Sequence, residues 1–171
     1  MKNRRIIAID PGHGGWCFAY LNNINRLAHV DDPRSYIYTE GKEKPNTIGC
    51  PVLASKLLQW LEGQSVLDEY VFIVEMPIGG YPQVAANINK DIGYLARAFY
   101  KYNIVTLVTC LPSDWKLFLT SKGLLPPKSG HMKPDKYTPI LNTHYGITMV
   151  EHAWAAFGIA WWGIENIEEG E

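Results

Sequence analysis

The sequence predicts an α/β fold with a mixed, five-stranded central sheet flanked by helices, and three observations lead there. Short apolar and β-branched runs end on acids or turn residues, most clearly at 4–10 and 71–75. Segments at 84–99 and 151–162 instead carry apolar residues at helical spacing. The order of these pieces is three strands, helix, strand, helix, strand and helices, which suits an antiparallel meander followed by parallel crossovers. With 171 residues and 47% apolar composition, the chain is large enough for one core and cramped for two. One domain is therefore expected over residues 1–164, followed by an acidic tail at 165–171 that holds four glutamates and no base.

The first strand, residues 4–10, runs through the β-branched pair Ile6 and Ile7 into Asp10-Pro11-Gly12, a strand that stops at a turn. Residues 16–21 are aromatic and apolar enough to return as a hairpin across the glycines, and 35–39 (SYIYT) is a third, short strand. Leu53, Leu57, Leu58 and Leu61 define a helix within residues 50–61. VFIVE, 71–75, is a continuous apolar run closed by one carboxylate, the pattern of a strand buried on both faces. Val84, Ile88, Ile92, Leu95 and Phe99 mark an amphipathic helix, and 104–109 is another buried strand. Pro112 and Ser113 start a short helix at 114–119, the Pro-, Gly- and Lys-rich residues 123–133 read as a mobile loop, and 134–145 form a further helix. The last helix, 151–162, is apolar almost all round, so it should lie flat on the sheet.

No run approaches the roughly 20 apolar residues of a membrane span, and the first residues reach acid and glycine before a signal-peptide core could form. A cytoplasmic protein is expected. Cys17, Cys50 and Cys110 are odd in number, widely spaced and set in apolar surroundings, which suits reduced packing residues rather than disulfides or a zinc knuckle. The net charge of −1 offers no general attraction to polyanions. It is unevenly spread, however: residues 112–138 hold five lysines (116, 122, 128, 133 and 136) against two acids, a net of +3.

The stretch IIAIDPGHGG admits two metal-binding readings. With His13 as a ligand it resembles the opening of zinc amidases that act on peptidoglycan, but zinc catalysis needs three protein ligands. Here the next acids are Asp31 and Asp32, no glutamate appears before Glu40, and His29 has the wrong surroundings. With Asp10 as the ligand, the carboxylate sits at a strand end and needs further hard oxygens, as Mg²⁺ does. Glu75, 65 residues on, closes its strand in the same manner. Either acid alone reads as an ordinary strand terminus, while a buried helix that begins Glu151-His152 supplies a third feature.

Taken in order, IIAIDPGHGGWCFAY, VFIVEMPIGG, VTCLPSDWKLFL and EHAWAAFGIAWW resemble the RuvC family of Holliday-junction resolvases, within the RNase H-like nuclease superfamily. The resemblance runs along nearly the whole chain, and the short length and divergent motifs fit a phage member. It implies an RNase H-like fold and a Mg²⁺-dependent endonuclease that cuts four-way and other branched DNA in recombination, repair or phage DNA processing. Four acidic or metal-binding groups in that family hold two Mg²⁺ ions about 4 Å apart, with Mn²⁺ able to substitute. They map to Asp10, Glu75, His152 and the position three residues later, where this chain has Ala155. Spacing of three on a helix puts His152 and Ala155 on one face.

Three explanations fit the missing acid. Glu151 supplies the carboxylate, although it lies one turn from Ala155 and about 40° round the helix; or the protein is a natural, non-catalytic junction binder; or a catalytic Asp has been replaced by design. The last is favoured, because everything else around Ala155 has the form of a working site, and the chain as written is expected to be nearly inactive. The resemblance further implies that Lys116 and Lys133 contact phosphates near the cut. Tyr81 is a candidate for stacking on an unpaired base, with packing on Pro82 the competing reading. A two-fold homodimer is implied, with 84–100 as the natural interface helix. An RNase H-type enzyme acting on RNA:DNA hybrids remains the alternative catalytic reading.

Overall fold

The computed structural model describes residues 4–12, 15–20, 37–39, 69–76, 82–99 and 106–166. The expected helix at 50–61, His13 and Tyr81 lie outside them. The strands are β1 (Arg4–Gly12), β2 (Gly15–Tyr20), β3 (Ile37–Thr39), β4 (Glu69–Glu75) and β5 (Thr106–Cys110). They join in one sheet in the order β3-β2-β1-β4-β5. Three of them, β1, β4 and β5, run parallel, while β2 and β3 extend the sheet antiparallel from β1.

The helices are α1 (Pro82–Phe99), α2 (Pro112–Ser121), α3 (Pro134–Tyr145) and α4 (Glu151–Asn166). The last runs four residues past the end expected for that helix at 162. None is long and apolar enough to cross a membrane among the described residues.

Alternation along the parallel strands divides their side chains between two buried layers. Ile6 and Ala8 of β1, Val71 and Ile73 of β4 and Cys110 of β5 share one core with α2, α3 and α4. Ile7, Ile9, Phe72 and Val74 alternate with them and are equally buried. Because both faces are covered, VFIV reads as an unbroken apolar run.

Helix α4 lies against β1, β2 and α2, and every residue from Ala153 to Ala160 is buried. Its approach to α2 is set at Gly158: a Cβ there would stand 2.5 Å from Cε3 of Trp115, so the indole ring rests on the helix backbone. The entry into α4 is fixed by Asn142 of α3. The Asn142 Oδ1 accepts from the Met149 backbone N–H at 2.9 Å and from the Trp154 indole N–H at 2.7 Å. One amide thus ties the end of α3 to both the preceding loop and the first turn of α4.

The segment 123–133 departs from the mobile loop expected of its composition. Leu124 and Leu125 are buried, Ser129 donates through Oγ to the Pro126 carbonyl, and Ser129–His131 form one turn of 3₁₀ helix. Gly123 and Lys128 adopt the left-handed conformations that the tight turns require, with φ of 75° and 66°. Proline and glycine mark where the backbone turns; the two leucines, held inward, are what pack it.

Candidate active site

Three groups meet around Asp10. In the parallel pairing of β1 with β4, Ile9 stands opposite Val74, so the next residues, Asp10 and Glu75, project side by side on the face toward α4. On the other flank of β4, Glu75 pairs with Cys110. Although β1 runs on to Gly12, its pairing with β4 ends here and places two carboxylates, 65 residues apart in the chain, side by side. From above, α4 delivers His152, whose Nδ1 lies 2.6 Å from Asp10 Oδ2. Asp10 is 6% exposed, so this contact matters: a buried carboxylate is costly without a partner.

Glu75 is held differently. Its Oε1 accepts a 2.7 Å hydrogen bond from the indole N–H of Trp115, the fourth residue of α2. Burial, and next the neighbouring Asp10 charge, push the Glu75 carboxyl up to about 8, with a hydrogen bond between the two carboxyl groups adding to the rise. The Trp115 N–H and the Lys116 charge act in the opposite sense. Ionising Glu75 beside the Asp10 charge is therefore costly unless a positive charge stands near them. Burial also raises the Cys110 thiol, as do Glu75, Asp114 and Asp10, so Cys110 is an inert packing residue at neutral pH.

Helix α2 starts directly after β5, with Pro112 in its first turn and the Asp114 carboxylate accepting from the Leu111 N–H at 2.8 Å. This local cap aims Trp115 and Lys116 back over the strand ends. Trp115 is 1% exposed and meets Tyr137 edge to face, with ring centroids 5.4 Å apart. Lys116, the expected phosphate contact, is buried, its Nζ 5.3 Å from the Trp115 ring centroid and 5.6 Å from that of Tyr137. Burial lowers its ammonium pKa, and Glu75 and Asp10 counter that loss. Its stem packs while its charge serves the acids. Lys133, by contrast, is exposed at the start of α3.

Ala155 is 2% exposed. It lies on α4 midway between His152, which touches Asp10, and Gly158, which carries the indole that holds Glu75. Positions 152, 155 and 158 follow one stripe of the helix. Glu151 is half exposed, with Oε1 3.5 Å from His152 Nε2, the ring nitrogen opposite the one that meets Asp10. Trp115 as the partner of Glu75 is the site residue that sequence reasoning missed. The only hint was an aromatic with a polar handle one turn into a capped helix after a buried strand.

Among the described residues no three His, Cys, Asp or Glu side chains form a group that could hold a metal ion. The donor chemistry nevertheless fits a hard divalent cation: Asp10 and Glu75 are neighbouring carboxylates whose mutual repulsion a cation would relieve. One oxygen of each is engaged here by a protein donor, His152 or Trp115.

No protein-family model and no curated protein matches the chain. Solved structures do. The fold is similar to that of T. thermophilus RuvC in complex with a Holliday junction substrate, with a TM-score of 0.58, 11% identity, and coverage of 92% of this chain and 91% of that one. A second Thermus thermophilus RuvC structure gives 0.57, at 14% identity and 92% coverage of both chains. At these identities the likeness establishes the fold alone, shared over almost the entire length of the chain: a RuvC-like α/β fold.

Proposed function

We propose that the chain is a structure-selective nuclease of the Holliday-junction resolvase kind, and that as written it lacks one acid of its catalytic set. The observation that supports this most is the meeting of Asp10 and Glu75, where the parallel pairing of β1 and β4 ends, with His152 of α4, in a fold shared with a protein solved on a Holliday junction.

Asp10 and Glu75 would hold divalent cations, Mg²⁺ or Mn²⁺, with His152 as a third ligand. Such ions, when bound, supply Lewis acidity to the scissile phosphate and lower the pKa of attacking water. Asp10 is the shared group, since both other residues approach it. His152 is the hydrogen-bonding partner of Asp10 within the protein, and Lys116 adds a buried positive charge beside the acids. Lys133 offers its exposed ammonium to a DNA phosphate. The proposed assembly is a homodimer, so that two such sites meet opposed strands of a branched DNA.

The test is restoration of the missing acid. Ala155→Asp should confer Mg²⁺-dependent cleavage of a four-way junction, while the parent chain binds the junction and leaves it uncut. Inactivity of the Ala155→Asp protein on four-way junctions, flaps and RNA:DNA hybrids alike would overturn the reading, and cutting of hybrids alone would reassign the substrate.

A further inference from the structure

We infer that Trp115 is a positioning residue for Glu75: its indole N–H engages one carboxylate oxygen and leaves Glu75 a single oxygen to offer to a cation. The inference rests on the metal-binding reading of the site given above. Its geometric basis is the 2.7 Å hydrogen bond to Oε1, made by a donor that has nowhere to go. The indole is 1% exposed and is fixed on three sides. Its ring lies on the backbone of α4 at Gly158, Tyr137 meets it edge to face, and the Lys116 ammonium stands 5.3 Å from its centroid.

Chemistry explains why an indole serves here. A tryptophan N–H donates and never accepts, carries no charge and does not titrate. It therefore remains a donor to Glu75 whether that carboxyl is protonated, ionised or bound to a cation, and holds the ionised form most strongly. A lysine or histidine in the same place would compete with the cation through its own charge. Partners of this kind orient metal-binding side chains, and their loss costs about 10- to 100-fold in metal affinity or activity.

Trp115→Phe keeps the ring on Gly158 and Tyr137 and deletes only the donor. Titration of the free protein with Mn²⁺, followed calorimetrically, should show binding weakened by about 10-fold or more relative to the parent chain, with the melting temperature lowered by only a few degrees. A second measurement leaves Trp115 intact. In an NMR spectrum of ¹⁵N-labelled protein the Trp115 indole N–H should move on Glu75→Gln, while that of Trp154, bonded to Asn142, stays in place.

Equal Mn²⁺ affinity in Trp115→Phe, absence of Mn²⁺ binding in the parent, or an unmoved Trp115 resonance would each reduce the contact to packing and overturn the inference. Failure of the nuclease reading looks different. There the Ala155→Asp protein cuts no nucleic acid, yet Trp115→Phe still weakens Mn²⁺ binding, and the positioning role stands for a cation site of another use.

Discussion

Asp10 and Glu75 stand side by side and are supported in opposite ways. Asp10 meets a titratable ring at the start of α4, part of the way to solvent, whereas Glu75 meets a neutral indole inside the core. The first arrangement can neutralise its carboxylate from within the protein. The second only orients it, so Glu75 must take its compensating charge from elsewhere: the Lys116 ammonium, a proton or a cation. The lesson is that one site divides two requirements, charge balance and direction, between its two acids.

Breaking the Glu75 side at its root should have the largest effect. Trp115→Ala removes a fully buried indole from between α2, α3 and α4, and is expected to cost about 3–5 kcal/mol of stability in urea or guanidinium unfolding. If the loss is below 1 kcal/mol, the indole is not the wedge described here.

The second effect is a pH dependence owed to Glu75. Its folded-state pKa is raised from 4.5 to about 8, so the folded chain binds a proton that the unfolded chain has released. The stabilisation from this protonation is complete below about 4.5, declines as the pH rises, and is gone above about 8. Without divalent ions, stability should fall across that window by on the order of a few kcal/mol. Glu75→Gln should flatten the slope, and Asp10→Asn should reduce it by removing the second cause of the shift. A parent profile flat between those limits would show that the two acids are not coupled.

The smallest effect is expected on the Asp10 side. His152→Ala leaves a buried carboxylate without its partner and should cost about 1–3 kcal/mol, measured at neutral pH by thermal unfolding. A stability unchanged by His152→Ala would show Asp10 to be balanced by another group.

The strands and helices that build this site were legible because each is dictated locally. VFIVE is a run of apolar residues that only a doubly covered strand can bury, and EHAWAAFGIAWW is too apolar to lie anywhere but on the sheet. Asp10, Glu75 and His152 stood out as polar interruptions in such elements. What escaped was tertiary. Lys116 belongs to a lysine-rich segment by composition, yet the phase of α2 that buries Trp115 and Leu119 carries its stem inward as well. The turn after α2 looked mobile from its proline and glycine content, while Leu124 and Leu125 anchor it. The indole bond to Glu75 joins residues 40 positions apart, which no periodicity announces.

Gly158 extends that connection further. It is 83 residues from Glu75 and touches no acid, but the missing side chain sets how near α2 can come to α4, and hence where the indole donor stands. Adding one carbon there would press on the ring rather than on the carboxylate, and the carboxylate would still register it. The reach of the acid is thus gauged by the separation of two helices, so sequence change can retune this site from a position where nothing binds and nothing reacts.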